Sequence, residues 1–136
     1  MAVLSRIVYK GNLRTEAEHL KSGEKVITDA PTDNKGRGEA FSPTDLVSTA
    51  LAQCMMTLMG IAAETHEIKL GKIDAEVTKT MASDPRRIAI IEIDMRIENK
   101  KFSDKQKTIL ERAALTCPVA KSLSPEVVQE VNFSYY

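Results

Sequence analysis

Two cysteines, Cys54 and Cys117, are the side chains of this 136-residue sequence best suited to chemistry. A cysteine thiolate is a strong nucleophile, a redox centre and a metal ligand. The two residues are 63 positions apart in the sequence, and they do not form the C-x-x-C pattern of dithiol redox motifs. From this pattern alone, redox chemistry and purely structural thiols both remain open.

Other catalytic motifs are missing. The sequence has no G-x-G-x-x-G, G-x-x-x-x-G-K-[ST] or H-E-x-x-H pattern. A Ser–His–Asp hydrolase would have to use His19 or His66, and neither lies near a nucleophile elbow, so both are interpreted as surface residues. A zinc site from the two cysteines and a histidine stays an alternative, although no two of these ligands are close in sequence. We expect no metal and no cofactor.

The local sequence around the two cysteines differs. Cys54 lies in the middle of a long apolar segment, where a thiol usually behaves as a small core side chain. Cys117 precedes Pro118 and is predicted to cap a helix, whose N–H groups and dipole would lower the thiol pKa. Local chemistry therefore predicts Cys117 as the more reactive thiol, and Cys54 would need a cation from elsewhere in the fold.

The elements that position the cysteines are predicted to form one α+β domain over residues 1–136, in the order βββ–α–ββ–αα–β. The predicted strands are 2–9, 13–20, 25–29, two alternating strands around 73–78 and 91–97, and 127–133. Helices are predicted from Pro43 to about residue 64, after Ser103 to about 115, and from 117 to about 123. The two alternating strands are typical of an antiparallel sheet with one solvated face. Segment 30–40 is predicted to be an exposed loop.

The start of the long helix carries clear signals. Ser42 is a capping residue, Pro43 occupies the favoured first position, and Asp45 lies in the first turn near the positive end of the helix dipole. The helix is apolar on more than one face, so it is predicted to be buried nearly all round with the help of a second subunit. Polar residues interrupt it, which favours a buried helix over a membrane span.

Composition excludes some partners. The net charge is zero, which does not fit a nucleic-acid-binding protein. The N-terminal residues resemble a strand and not a signal peptide, so a reducing cytoplasm is the expected location.

Two segments resemble the OsmC/Ohr family, the osmotically inducible and organic hydroperoxide resistance proteins. Residues 41–54, FSPTDLVSTALAQC, are similar to its helix start and first cysteine, and residues 116–123, TCPVAKSL, to its second-cysteine motif. The resemblance implies an intertwined α+β homodimer, with antiparallel sheets from both subunits around two long central helices. It also implies reduction of organic hydroperoxides, with Cys54 as the peroxidatic and Cys117 as the resolving cysteine. An external dithiol, a lipoylated protein in the Ohr branch, would reduce the resulting disulfide.

The same resemblance implies an arginine beside the peroxidatic thiolate. Arg14, in the N-terminal hairpin, is the best match, and Arg37 in the following loop is the second candidate. The Ohr branch holds this arginine with an acidic residue directly after the helix-opening proline. Here that position is Thr44 and the carboxylate comes one residue later, at Asp45, which would be rotated by about 100° on the helix. This departure indicates a divergent OsmC-like branch.

A non-enzymatic role is the main alternative. A dimer of this kind would bind a small hydrophobic or thiol-reactive ligand beside Cys54. The nearby Met55, Met56 and Met59 suggest this function, although such clusters are more often part of a core.

Overall fold

The computed structural model describes residues 2–136, and the predicted element order is confirmed there. The elements are β1 (Ser5–Gly11), β2 (Arg14–His19), β3 (Lys25–Asp29), α1 (Pro43–Thr65), β4 (Ile73–Ala82), β5 (Arg87–Ile97), α2 (Asp104–Leu115), α3 (Pro118–Ser122) and β6 (Val128–Tyr135). They form a mixed α/β structure with two small sheets. The chain divides into two compact units, and the division falls inside α1, between Val47 and Ser48.

The first unit is built on an antiparallel sheet of β1, β2 and β3 in sequence order. In its described part, residues 2–47, the buried residues are Thr28, Asp29 and Ser42, and all three are polar. Its large apolar residues lie outside, with Ile7 64% exposed. Polar contacts therefore hold this unit, and it lacks an apolar core of its own.

The loop after β3 is exposed, as predicted, but it is not a plain flexible segment. It contains one turn of 3-10 helix at Thr32–Asn34, and the Gly36 amide donates to the Pro31 carbonyl at 2.9 Å. A Cβ atom on Gly36 would lie 1.7 Å from the Ala30 carbonyl oxygen, so the loop requires glycine here. The chain is thereby folded tightly back on the end of β3.

The second unit contains a sheet in the order β4-β5-β6. β4 and β5 are antiparallel, as predicted, whereas β5 and β6 are parallel, so the expectation of a wholly antiparallel sheet was wrong. The reason is the connection: α2 and α3 join β5 to β6, and they return the chain to the same end of the sheet, as parallel pairing requires.

The core of the second unit is aliphatic. Alternate residues of β5 are buried, namely Ile91, Ile93, Met95 and Ile97. The α2 side chains Leu110 and Ala114 belong to the same cluster, as do the α1 residues Leu51, Ala52, Met55, Met59 and Ala63. This packing gives α1 and α3 fixed positions within the second unit.

Within one chain α1 buries one side, and burial of its other side by a second subunit stays a prediction. Gln53, Thr57 and Ile61 are exposed on the other side. By length and composition α1 could cross a membrane, with a mean hydropathy of 1.6 over its best window. The core helix of a protein can have the same length and hydropathy, and the buried α1 residues belong to the aliphatic core.

Candidate functional site

The two cysteine thiols lie together in the second unit. Cys54 is on α1 and Cys117 immediately precedes α3, and the two thiols are close enough that Cys54 raises the pKa of Cys117. Both are free thiols. Cys117 is fully buried, whereas Cys54 is partly exposed. The fold thus brings two cysteines that are distant in sequence to within reach of each other, and it leaves Cys54 the more accessible.

The position of Cys117 follows from local sequence. α2 ends at Leu115, and Pro118 starts α3 because proline tolerates the first helical position. Cys117 is the residue between, and its Sγ accepts a hydrogen bond from the Ala120 amide at 3.4 Å. The predicted cap is therefore confirmed.

The expected consequence of this cap was wrong. Burial raises the pKa of the Cys117 thiol, and this outweighs the Ala120 amide, which acts in the opposite direction. The neighbouring Cys54 side chain also raises the pKa of Cys117. Cys117 is thereby disfavoured as the thiolate of the pair, contrary to what its helix N-terminus predicted.

Arg14 lies in the first unit and is bound by two carboxylates. Its Nε donates to Asp29 Oδ1 at 2.7 Å and its Nη2 to Asp29 Oδ2 at 2.7 Å. Nη2 also donates to Glu39 Oε1 at 3.1 Å. Arg14 and Asp29 face each other directly across β2 and β3, so the strand register itself creates the pair.

Asp29 is an ionised carboxylate in a buried position. Its side chain is 0% exposed, and it accepts a further hydrogen bond from the Glu39 amide at 3.2 Å. The Arg14 guanidinium lowers the pKa of Asp29, mainly through its hydrogen bonds, and this outweighs burial. In return, Asp29 raises the pKa of Arg14.

Arg37 and Asp45, the two supporting candidates, take different positions. Arg37 is in the loop after β3, close enough that its charge also lowers the pKa of Asp29. Asp45 forms the first turn of α1: its Oδ2 accepts from the Ser42 amide at 3.0 Å, and its own amide donates to Ser42 Oγ at 3.1 Å. Asp45 is thus part of a capping box.

Sequence reasoning missed Asp29. The signal was present in the predicted strands, because pairing of 13–20 with 25–29 sets an acidic residue opposite Arg14. In the sequence analysis, the acidic partner of the arginine is expected only at the start of α1, whereas the carboxylates on Arg14 come from β3 and the following loop.

Two alternatives receive no support from this geometry. Of the three methionines near Cys54, Met55 and Met59 are fully buried in the core and do not line a binding surface, whereas Met56 is partly exposed. Within residues 2–136, no group of three or more His, Cys, Asp or Glu side chains is placed to hold a metal ion.

Known proteins resemble this chain in sequence and in fold. The family model for OsmC-like proteins matches residues 36–132. A crystal structure from Psychrobacter arcticus 273-4 has 50% identity and a TM-score of 0.92, covering 98% of this chain and 96% of the other. Its name, an osmotic stress induced and detoxification response protein, is itself provisional. The chain therefore belongs to the OsmC-like protein family.

More distant structures share the fold. An organic hydroperoxide resistance protein OsmC from Legionella pneumophila has 15% identity and a TM-score of 0.73, with 98% of each chain covered. An organic hydroperoxide resistance protein from Elizabethkingia anophelis has 11% identity and a TM-score of 0.77, covering 100% of this chain and 99% of the other. A comparison with curated proteins gives no match.

Proposed function

We propose that this protein is a thiol-dependent peroxidase that reduces organic hydroperoxides through Cys54 and Cys117. The neighbouring pair of free thiols, one partly exposed and one buried, is the observation that carries this proposal. Membership of the OsmC-like family supports it, as do the names of two structural neighbours, which describe organic hydroperoxide resistance. Hydrogen peroxide is a second substrate to be tested.

In the first step, the Cys54 thiolate attacks the terminal oxygen of the hydroperoxide. The O–O bond breaks, the thiol is oxidised to a sulfenic acid, and the alkoxide leaves as the alcohol after taking up a proton. The partial exposure of Cys54 and the buried, protonated state of Cys117 support this division of roles.

In the second step, Cys117 attacks the Cys54 sulfenic acid. An S–S bond forms and one water molecule leaves, which carries away the oxygen taken from the peroxide. An external dithiol, which we expect to be a lipoylated protein, then reduces the disulfide and is itself oxidised. Each turnover therefore consumes one hydroperoxide and one dithiol.

Arg14 is the cation that we assign to the Cys54 thiolate. A guanidinium stabilises a thiolate and can donate hydrogen bonds to a peroxide oxygen. Its paired state supports this role, because a group held by Asp29 through two hydrogen bonds has a defined orientation. Arg37, in the loop after β3, stays the second candidate.

A homodimer is the proposed assembly. The first unit exposes several apolar side chains, namely Val3, Leu4, Ile7, Val8, Tyr9, Val26, Ile27 and Phe41. A three-stranded sheet without an apolar core is expected to be marginal alone, and exposed apolar surface of this kind favours association. A second copy of the chain would cover it. Light scattering after size exclusion should give twice the mass of one chain, and the mass of one chain would contradict the proposal.

Cys54→Ser is the decisive variant for the reaction. With cumene hydroperoxide and a dithiol reductant, we expect wild-type turnover and loss of all turnover in Cys54→Ser. Cys117→Ser should be oxidised once and then accumulate a sulfenic acid that over-oxidises. Unchanged turnover in Cys54→Ser would contradict the mechanism.

Intact mass separates this reaction from ligand binding. After mild peroxide, the wild type should lose two hydrogens as the Cys54–Cys117 disulfide forms. An unchanged mass would favour a non-enzymatic binding protein.

A further inference from the structure

The short helix α3 is held at its centre by a side chain of another element. Gln129, on β6, donates from Nε2 to the Ala120 carbonyl at 3.1 Å. Within residues 2–136, no other side chain outside α3 and its cap forms a hydrogen bond with this helix. A helix of five residues is not stable alone, and α3 contains no buried residue, so its position depends on contacts of this kind.

Gln129 occupies a position where an apolar side chain would be expected. Alternate residues of β6 face the core, and Val131 and Phe133, which share this face with Gln129, are apolar and pack against the core cluster. Gln129 lies beside the fully buried Ile91 in the parallel pairing of β5 with β6. A polar group turned toward an apolar interior is unfavourable unless it forms a hydrogen bond. The contact with Ala120 therefore explains how a glutamine is accommodated here.

The Ala120 backbone links Gln129 to the buried thiol. The Ala120 carbonyl accepts from Gln129, and the Ala120 amide donates to Cys117 Sγ at 3.4 Å. The Cys117 carbonyl accepts from the Lys121 amide at 3.1 Å, so α3 holds Cys117 through its side chain and its backbone. The amides of Val119 and Ala120 lower the pKa of Cys117, against the larger effect of burial. A shift of α3 would therefore move Cys117 and weaken the groups that favour its thiolate.

We propose that Gln129 is a positioning residue for the second chemical step, which fixes α3 so that Cys117 is held in place to attack Cys54. This inference rests on the proposed function, in which Cys117 is the resolving cysteine. The Gln129 side chain donates to Ala120 and not to a thiol, so it acts through α3. The first step uses Cys54, which lies on α1, so the second step should depend on Gln129 and the first should not.

The test uses a chromogenic aromatic disulfide, dithiobis(nitrobenzoate), in place of a peroxide. The thiolate of the partly exposed Cys54 attacks the reagent, a mixed disulfide forms and one nitrothiobenzoate leaves. Cys117 then loses its proton and attacks the Cys54 sulfur, which forms the Cys54–Cys117 disulfide and releases a second nitrothiobenzoate. The rate of the first release depends on the reagent concentration and that of the second does not, so absorbance separates the two steps.

Gln129→Met nearly keeps the volume of the side chain but removes the donor. We expect the second release to slow about 10-fold or more, because a small displacement of a reacting group can cost about 100-fold. The first release should keep its wild-type rate. The pH profile of the second release should also move to higher pH, since the amides of α3 would stabilise the Cys117 thiolate less. Gln129→Glu, which has the same shape and no N–H donor, should give the same result.

Asn132→Ala is the matched control. Asn132 is a carboxamide of the same strand, but it donates to Asp94 Oδ1 at 3.0 Å in an exposed position, so both releases should keep their wild-type rates. A wild-type second release in both Gln129→Met and Gln129→Glu would overturn the inference. So would an equal slowing of both releases, because a general loosening of the core would then be the cause. If Gln129→Met does not fold, as judged by circular dichroism, Gln129→Glu decides the question.

A peroxide experiment separates this inference from the proposed function. With cumene hydroperoxide, Gln129→Met should form the Cys54 sulfenic acid at the wild-type rate and then over-oxidise more than wild type, because the attack by Cys117 is delayed. A wild type that resists peroxide refutes the peroxidase, whereas a slowed second release in the Gln129 variants would still support the positioning role. A wild type that releases only one nitrothiobenzoate would overturn the positioning role, because Cys117 would then not attack Cys54.

Discussion

The two units of this chain differ in what they bury: one has an apolar interior and the other a polar one. The second unit buries an aliphatic cluster, in which the β5 residues Ile93 and Ile97 are completely covered. The first unit buries the carboxylate of Asp29 under Arg14 and leaves its isoleucines and valines outside. The apolar core of the second unit fixes the positions of Cys54 and Cys117. In the first unit, the hydrogen bonds from Arg14 to Asp29 fix the orientation of the guanidinium.

This difference separates two requirements of the proposed chemistry. A thiol pair needs fixed distances, and close-packed aliphatic side chains provide them because packed interiors are rigid. A guanidinium needs an orientation, and paired hydrogen bonds provide that better than packing does. The apolar surface left on the first unit is then available for a second copy of the chain.

Removing apolar volume should affect the two units very differently. Ile93→Ala deletes a fully buried side chain, and we expect a loss of about 2–5 kcal/mol in the free energy of unfolding. Urea titration at fixed protein concentration measures it. A loss below about 1 kcal/mol would show that the aliphatic cluster is not the main source of stability.

Ile7→Ala is the matched variant in the first unit. In an isolated chain, truncation of this exposed side chain would change the free energy of unfolding by about 0.5 kcal/mol or less. We expect a larger loss than that, but a smaller one than for Ile93→Ala, because the proposed second copy covers Ile7. The apparent stability should also fall on dilution, as it does for an obligate dimer.

Acid should weaken the first unit before it affects the apolar core. The pKa of Asp29 is lower in the folded than in the unfolded chain, so the unfolded chain binds more protons between the two values. The contribution of Asp29 to stability is therefore complete above the unfolded pKa of about 3.9 and is lost as the pH falls through the lower folded value.

The comparison of wild type with Asp29→Asn tests this. Wild type should be the more stable protein near pH 7, and the difference should shrink as the pH falls below the unfolded pKa of about 3.9. Thermal unfolding at a series of pH values measures it. A difference that stays constant down to pH 2 would mean that the carboxylate charge is not responsible.

The features that sequence predicted correctly are those with local causes. The capping box of Ser103 and Gln106 and the Cys117-Pro118 helix start depend on residues within one turn, and the structure contains both. The alternation of β5 depends on its own side chains, and its buried face is as predicted.

The features that sequence reasoning missed depend on non-local contacts. Parallel pairing of β6 with β5 is set by how two helices return the chain. The raised pKa of Cys117 reflects burial by distant residues, which no local motif reports. The Arg14–Asp29 pair requires the register of two strands as well as their existence.

The last comparison concerns the two helix capping boxes, one in each unit, and the loss in the free energy of unfolding when the serine of each box is replaced by alanine. Ser103→Ala removes the hydroxyl that accepts from the Gln106 amide at 3.1 Å in an exposed position, so we expect a loss of about 1 kcal/mol. Ser42→Ala removes the buried hydroxyl that accepts from the Asp45 amide, which should cost about 2 kcal/mol because a part-buried donor then loses its partner.

The free energy of unfolding in urea measures both capping losses, and Ser103→Asn is the control, since asparagine caps a helix as well as serine does. Equal losses at the two positions would mean that burial of Ser42 adds nothing to its cap. The larger loss at Ser42 is expected because its unit has so few buried residues, all of them polar, that each hydrogen bond among them carries more of its stability.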